Sequence, residues 1–240
     1  MLYITADLHL SGGNPDKEMG NKFPLWQGHQ ERLAAHWRAI VRPDDTVIVA
    51  GDISWALKPA TVAVDLQFIH ELPGQRKLLL RGNHDYWLPK TEAKQRELLA
   101  PWPSLAMLPR DRPTIVDDFA LAGTRLWKLP GAEYWDEAID PAIYAKEKLR
   151  LADCLRTLQR APADKLPVLI LHHPPHDPLS ESEGEAEKMI AAAGITRVYY
   201  GHLHPDAGEQ LPAQPYTRHG VTYQLIAVDS HDFSPVPVTL

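Results

Sequence analysis

Five short apolar runs end in clusters of metal-binding and proton-carrying side chains: Ala6 into Asp7-Leu8-His9, Ala50 into Gly51-Asp52, Leu80 into Arg81-Gly82-Asn83-His84-Asp85, Leu171 into His172-His173, and Tyr200 into Gly201-His202-Leu203-His204. Carboxylate, imidazole and amide oxygen together, with no thiolate, form a mixed donor set. It suits Mn²⁺, Fe or Zn²⁺ better than the all-oxygen preference of Ca²⁺ or Mg²⁺. One intervening residue between Asp7 and His9, or between His202 and His204, lets both members face one ion where the chain kinks out of a strand. Asp-x-His alone means little, because twelve histidines in 240 residues produce about one by chance, and Asp229-Ser230-His231 reads as such a hit. Gly82-Asn83-His84-Asp85 is different: with only three Asn in the chain, that tetrapeptide is expected well under about once in a thousand such sequences.

The clusters need a scaffold that gathers residues almost two hundred positions apart. Apolar, β-branched runs predict strands at Leu2–Ala6, Thr46–Ala50, Lys77–Leu80, Thr114–Gly123 (a hairpin through Asp117-Asp118), Val168–Leu171, Arg197–Tyr200 and Val221–Val228. Helical spacing predicts Gln27–Val41, Pro59–Leu72, Lys90–Leu99, Pro141–Arg160 and Gly184–Ala193, the second and fourth opening on proline, whose missing N–H costs least in a first turn. The alternation is that of a layered α/β protein, in which ligands bind beyond the carboxyl ends of the strands. No repeat or linker interrupts it, so residues 1–240 are expected to form one domain. Loops 11–26 and 126–140 show no clear periodicity.

In this order the five clusters resemble the calcineurin-like metallophosphoesterase superfamily, and the resemblance runs from Asp7 to His204. In flavour it looks like the small bacterial members described as phosphohydrolases. The resemblance implies a four-layer α/β/β/α sandwich, two mixed β-sheets flanked by helices. It implies a dinuclear centre with Asp7, His9 and His204 on one metal, Asn83, His172 and His202 on the other, and Asp52 bridging them. His84 is expected beside the site as a proton or hydrogen-bond donor, with Asp85 orienting its imidazole and Arg81 adding positive charge. The fourth motif, His172-His173-Pro174-Pro175, offers two histidines. The family's ligand stands two residues before the proline, which selects His172 and leaves His173 as a neighbour. Two metals about 3.5–4 Å apart acidify a bridging water to hydroxide and neutralise phosphoryl charge. Mn²⁺ is the first expectation, with Fe, Zn²⁺ or Mg²⁺ as alternatives.

The remaining composition narrows the substrate. Lys and Arg number 25 against 31 Asp and Glu, a net charge of −6, so no basic groove for a nucleic-acid backbone is expected. A small phosphodiester such as a cyclic nucleotide fits better. A monoesterase or protein phosphatase would want more cations than Arg81, Arg125 and Lys128, and a nuclease is the least favoured of the three. A catalytically silent metal-binding scaffold is the competing class. Trp55, Tyr86, Trp87, Trp127 and Trp135 are candidates to stack on a base or cover the site. A single Cys154 suits a reducing compartment, and the opening residues lack a signal-peptide pattern, so a cytoplasmic protein is expected, with no membrane partner. Cys154 reads as a core residue and Glu181–Glu187 as a solvated helix start.

Overall fold

The computed structural model describes residues 1–204, 211–212 and 214–239. They form two units, Met1–Met107 with Ile226–Leu240, and Leu108–Leu225. In the first unit β1 (Leu2–Thr5), β2 (Thr46–Ala50), β3 (Arg76–Leu80) and β4 (Leu105–Met107) run parallel, and β11 (Val236–Pro237) pairs antiparallel with β1. Every residue of β1 and β2 is buried, as expected of parallel strands, whose two faces are both covered. The crossover helices are α1 (His29–Ile40), α2 (Ala63–Glu71) and α3 (Glu92–Leu99). Leu33 and Trp37 of α1, Leu66 and Ile69 of α2 and Leu99 of α3 join Val47, Val49 and Leu79 of the sheet in one core.

The second unit holds a six-stranded sheet. β5 (Thr114–Val116) and β6 (Phe119–Thr124) form the expected hairpin, with Asp117 at φ 48° in its turn. β6, β7 (Leu166–Leu171), β8 (Arg197–Tyr200) and β10 (Val221–Leu225) are parallel, and β9 (Tyr216–Arg218) closes the edge antiparallel to β10. Its helices are α4 (Asp140–Gln159) and α5 (Glu185–Ala192). The fold is therefore α/β, with two mixed sheets flanked by helices. No helix among the described residues is long and apolar enough to cross a membrane.

Three expectations change. The second helix begins at Ala63, not Pro59, because Thr61 donates its N–H and hydroxyl back to the Lys58 carbonyl in a turn that precedes the helix. The last predicted strand stops at Leu225, and Val228–His231 is a 3-10 turn. Glu187 is buried rather than solvated: Arg218 Nε lies 2.9 Å from its carboxylate. Cys154 is a buried core residue as expected, and burial pushes its thiol up to about 12.

Candidate metal centre

In the first unit two loops leave β1 and β2 side by side. Asp7 N–H donates to the Gly51 carbonyl (2.9 Å), His9 N–H to Asp52 (3.0 Å), Leu10 N–H to Ile53 (3.0 Å) and Trp55 N–H to Leu10 (2.8 Å). This ladder holds three non-glycine residues at positive φ: Asp7 at 60°, His9 at 45° and Asp52 at 49°. Such conformations cost on the order of 1–3 kcal/mol each and persist only where the surroundings impose them. Their effect is to turn the chain out of the strand so that Asp7 and His9 converge: His9 Nε2 lies 4.0 Å from Asp7 Oδ1, and both side chains are buried. That spacing is one a single ion could span. His9 is further held by Trp55, stacked at 4.9 Å, and by the edge of Trp26 at 5.8 Å.

The Gly-Asn-His-Asp loop closes onto Asp52. Asp52 Oδ1 accepts the His84 N–H at 2.8 Å, and Asp52 Oδ2 lies 3.9 Å from His84 Nε2. The His84 ring packs on Trp55 at 4.3 Å and is about one-third exposed (33%), so it is held yet reachable. Asp85 has a further task that the sequence did not suggest. Its carboxylate accepts N–H groups of Ile53 (2.9 Å), Ser54 (3.3 Å) and Gly82 (2.7 Å) and the Trp87 indole (3.0 Å), which makes it the staple joining the two loops. Arg81 likewise donates to the carbonyls of Leu88 and Pro89 and clamps the segment after the motif.

Gly82 is required by contact. A Cβ there would lie 2.0 Å from Asp52 Oδ1 and 2.2 Å from the Asp52 backbone nitrogen. Rotating the Asp52 side chain relieves only the first overlap. Gly82→Ala is therefore expected to reach or exceed the upper end of overpacking costs, about 3 kcal/mol. A lowered urea midpoint in the metal-free chain would measure it, and an unchanged midpoint would contradict this packing.

A second buried carboxylate supports the loops without facing the ligands. Asp65 accepts the Ser54 hydroxyl and, at 2.9 Å, the Gly12 N–H, and burial raises it from 3.8 to about 6. The native chain thus holds this proton more tightly than the unfolded one. The resulting stability is fully present below the unfolded value near 4 and is lost as pH rises through about 6. Asp65→Asn removes that dependence while keeping an acceptor oxygen. The variant should gain on wild type by up to about 3 kcal/mol at pH 8 and little at pH 4. Urea unfolding at the two pH values reads this, and an equal difference at both would refute it.

In the second unit β7 ends at His172 and His173 and β8 at Gly201, His202 and His204. His172 N–H donates to Thr124 (3.3 Å), His173 N–H to Arg125 (2.9 Å) and Gly201 N–H to the His172 carbonyl (3.0 Å). His202 takes φ 72°, the same device as in the first unit. Ring nitrogens of His172, His173 and His202 lie within 4.8 Å of one another, a group that can hold a metal ion. The His173 and His202 rings are 3.9 Å apart, so both histidines of the fourth motif approach the third. Trp127 packs on His173 at 5.3 Å and is fixed by its indole N–H on Asp140 (2.8 Å). Trp87, by contrast, is a buried core residue and is not placed to stack on a base.

A buried polar network that the sequence did not suggest lies in the same unit. His176 Nε2 bonds the Tyr216 hydroxyl (2.9 Å), which lies 3.2 Å from the Tyr200 hydroxyl, while Glu187 meets Arg218. Burial, with Arg218 nearby, lowers His176 to about 4, so its imidazole is neutral. The signal was a third histidine, four residues after His172, in a segment otherwise read as loop.

A family model described as calcineurin-like phosphoesterase matches residues 2–206. The chain belongs to that family. The calcineurin-like phosphoesterases are dinuclear-metal enzymes, and the histidine group at the ends of β7 and β8 meets the donor chemistry they require. The Gene 66 protein of Mycobacterium phage L5 is 36% identical over 83 residues, which are 35% of this chain and 39% of the phage protein. The match thus spans well under half of that relative. The crystal structure of phosphopantetheinyl hydrolase (PptH) from Mycobacterium tuberculosis shares the fold, with a TM-score of 0.56 at 16% identity over 95% of this chain and 88% of that one.

Proposed function

We propose that the chain is a metal-dependent phosphodiesterase acting on small substrates such as cyclic nucleotides. Asp7, His9, Asp52 and Asn83 from the first unit and His172, His202 and His204 from the second would hold two divalent ions, Mn²⁺ by first choice, with Asp52 shared. The motif order supports this assignment, and so does the fit within each half: the Asp7–His9 spacing of 4.0 Å in one, the converging histidines in the other. When bound, such a pair supplies Lewis-acid charge on the phosphoryl oxygens and an acidified water. His84 donates a proton or hydrogen bond to the departing oxygen from its partly exposed seat on Trp55. Asp85, Arg81 and the strained turns hold these groups in place.

The diester preference rests on where the nearby cations go. A monoester brings a second negative charge, yet each cation expected to meet it is engaged elsewhere. Arg81 is on the Leu88 and Pro89 carbonyls, Arg125 on Glu147 at 2.8 Å, and Lys128 on Asp140 at 2.9 Å. A cytoplasmic location is part of the same reading, supported by the single, buried Cys154. The test is hydrolysis of bis(p-nitrophenyl) phosphate beside p-nitrophenyl phosphate, on protein stripped of metal and reloaded in turn with Mn²⁺, Zn²⁺, Mg²⁺ and Fe. The diester should be preferred and a chelator should abolish turnover. Preference for the monoester overturns the substrate class, and bound metal with no hydrolysis of either ester overturns the enzyme in favour of a scaffold.

A further inference from the structure

The second unit contains a cavity of about 630 Å³, a size typical of small-molecule sites. Its walls include Leu129, Tyr144, Pro174, Leu203 and Leu211. Pro174 follows His173 directly in the chain, and Leu203 sits between His202 and His204, so the cavity wall and the proposed ligands share the same two loops. Charge on the lining is one-sided. Asp177, Glu183 and Glu185 contribute to it, and none of the lining residues described is Lys or Arg. Glu183 meets Lys188 and His219, and Glu185 meets Lys148, whereas Asp177 has no cationic partner among the described residues and accepts only the Leu179 N–H.

The wall is also built to stay in place. Arg218 donates to the carbonyls of Ser180 (2.6 Å), Glu181 (2.8 Å) and Ser182 (3.0 Å) and lies 2.9 Å from Glu187. That guanidinium is consumed in holding the loop between β7 and α5 and is not itself part of the cavity wall. His176, buried and bonded to Tyr216, ties the start of the same loop to β9. A pocket fixed in this way does not have to be ordered on binding, which favours affinity and selectivity.

We infer that this cavity receives an organic group of the phosphate ester and selects for apolar groups without negative charge, a cationic group being welcomed and an anionic one rejected. This rests on the phosphoesterase reading above and narrows it. Esters whose second group carries a carboxylate or a further phosphate would meet Asp177 with no counter-charge on the wall, whereas alkyl, aryl or ammonium-bearing groups would not.

The test compares two diesters that share a chromophore, p-nitrophenyl butyl phosphate and p-nitrophenyl 3-carboxypropyl phosphate, on the metal-loaded enzyme. The butyl ester should have the higher kcat/KM by about tenfold, and p-nitrophenyl phosphorylcholine should at least equal it. Asp177→Lys should shrink or invert the butyl-to-carboxypropyl ratio. Asp177→Asn, which keeps the acceptor for the Leu179 N–H, should shrink it without risk to the loop. Equal kcat/KM for the two esters, with a ratio unmoved in both variants, overturns the pocket while leaving the phosphoesterase intact. Failure to hydrolyse any of the three esters overturns the enzyme itself.

Discussion

Asp52→Asn is expected to release metal from both positions and to abolish turnover. Asp52 stands at the end of β2 at φ 49°, 1% exposed, and one of its oxygens already accepts the His84 N–H at 2.8 Å. An asparagine can keep that hydrogen bond with its single carbonyl oxygen, but it then presents an NH₂ group, and no charge, where the proposed shared ligand needs an anionic oxygen. Loss of an outer-shell partner of a metal ligand already costs 10- to 100-fold in affinity or activity, so loss of the shared ligand should exceed about 10²-fold in kcat. Because the His84 bond and the Asp7–Gly51 ladder survive, the fold should persist, and circular dichroism would confirm it. Metal content per chain after dialysis, measured beside diester hydrolysis, checks the prediction. A variant with two metals and near-normal kcat would remove Asp52 from the bridging position.

His84→Ala should separate binding from chemistry. The 2.8 Å hydrogen bond to Asp52 comes from the backbone N–H of residue 84, which alanine retains, so the loop and the proposed metal ligands should stay in place. What disappears is a ring seated on Trp55 and open to solvent on one side. The expected loss is about 10²–10⁴ in kcat with metal content unchanged, the usual size of a general acid or a hydrogen bond to developing charge. The loss should be greater for an alkyl leaving group, which needs a proton, than for p-nitrophenolate, which leaves readily without one. Equal turnover of the two proteins on both kinds of ester would make His84 a bystander.

Much of this site was legible because parallel strands announce themselves twice. Val47, Ile48 and Val49 form an apolar run covered on both faces, and the polar residues must then follow where the run stops, as Gly51-Asp52 does. β2 and β8 match the expected spans residue for residue, since turn signals bound them closely. β4, β9 and β11 were not foreseen: they have three, three and two residues, too few for a period to show. The second-tier roles were hidden for another reason. A carboxylate beside a histidine in sequence invites the reading that it orients the ring, and no local pattern foretells that Asp85 also accepts four N–H donors. Glu187 and Arg218 are 31 residues apart and pair only because β9 returns to α5, which no local pattern encodes.

One chain should carry two metals with Asp52 common to both. Anomalous diffraction from crystals of Mn²⁺-loaded protein, recorded at the manganese edge, addresses it most directly. Two peaks are predicted, both in contact with the Asp52 carboxylate, one also touching Asp7 and His9 and the other Asn83 and His202. A single peak, or manganese bound away from Asp52, would contradict the assignment.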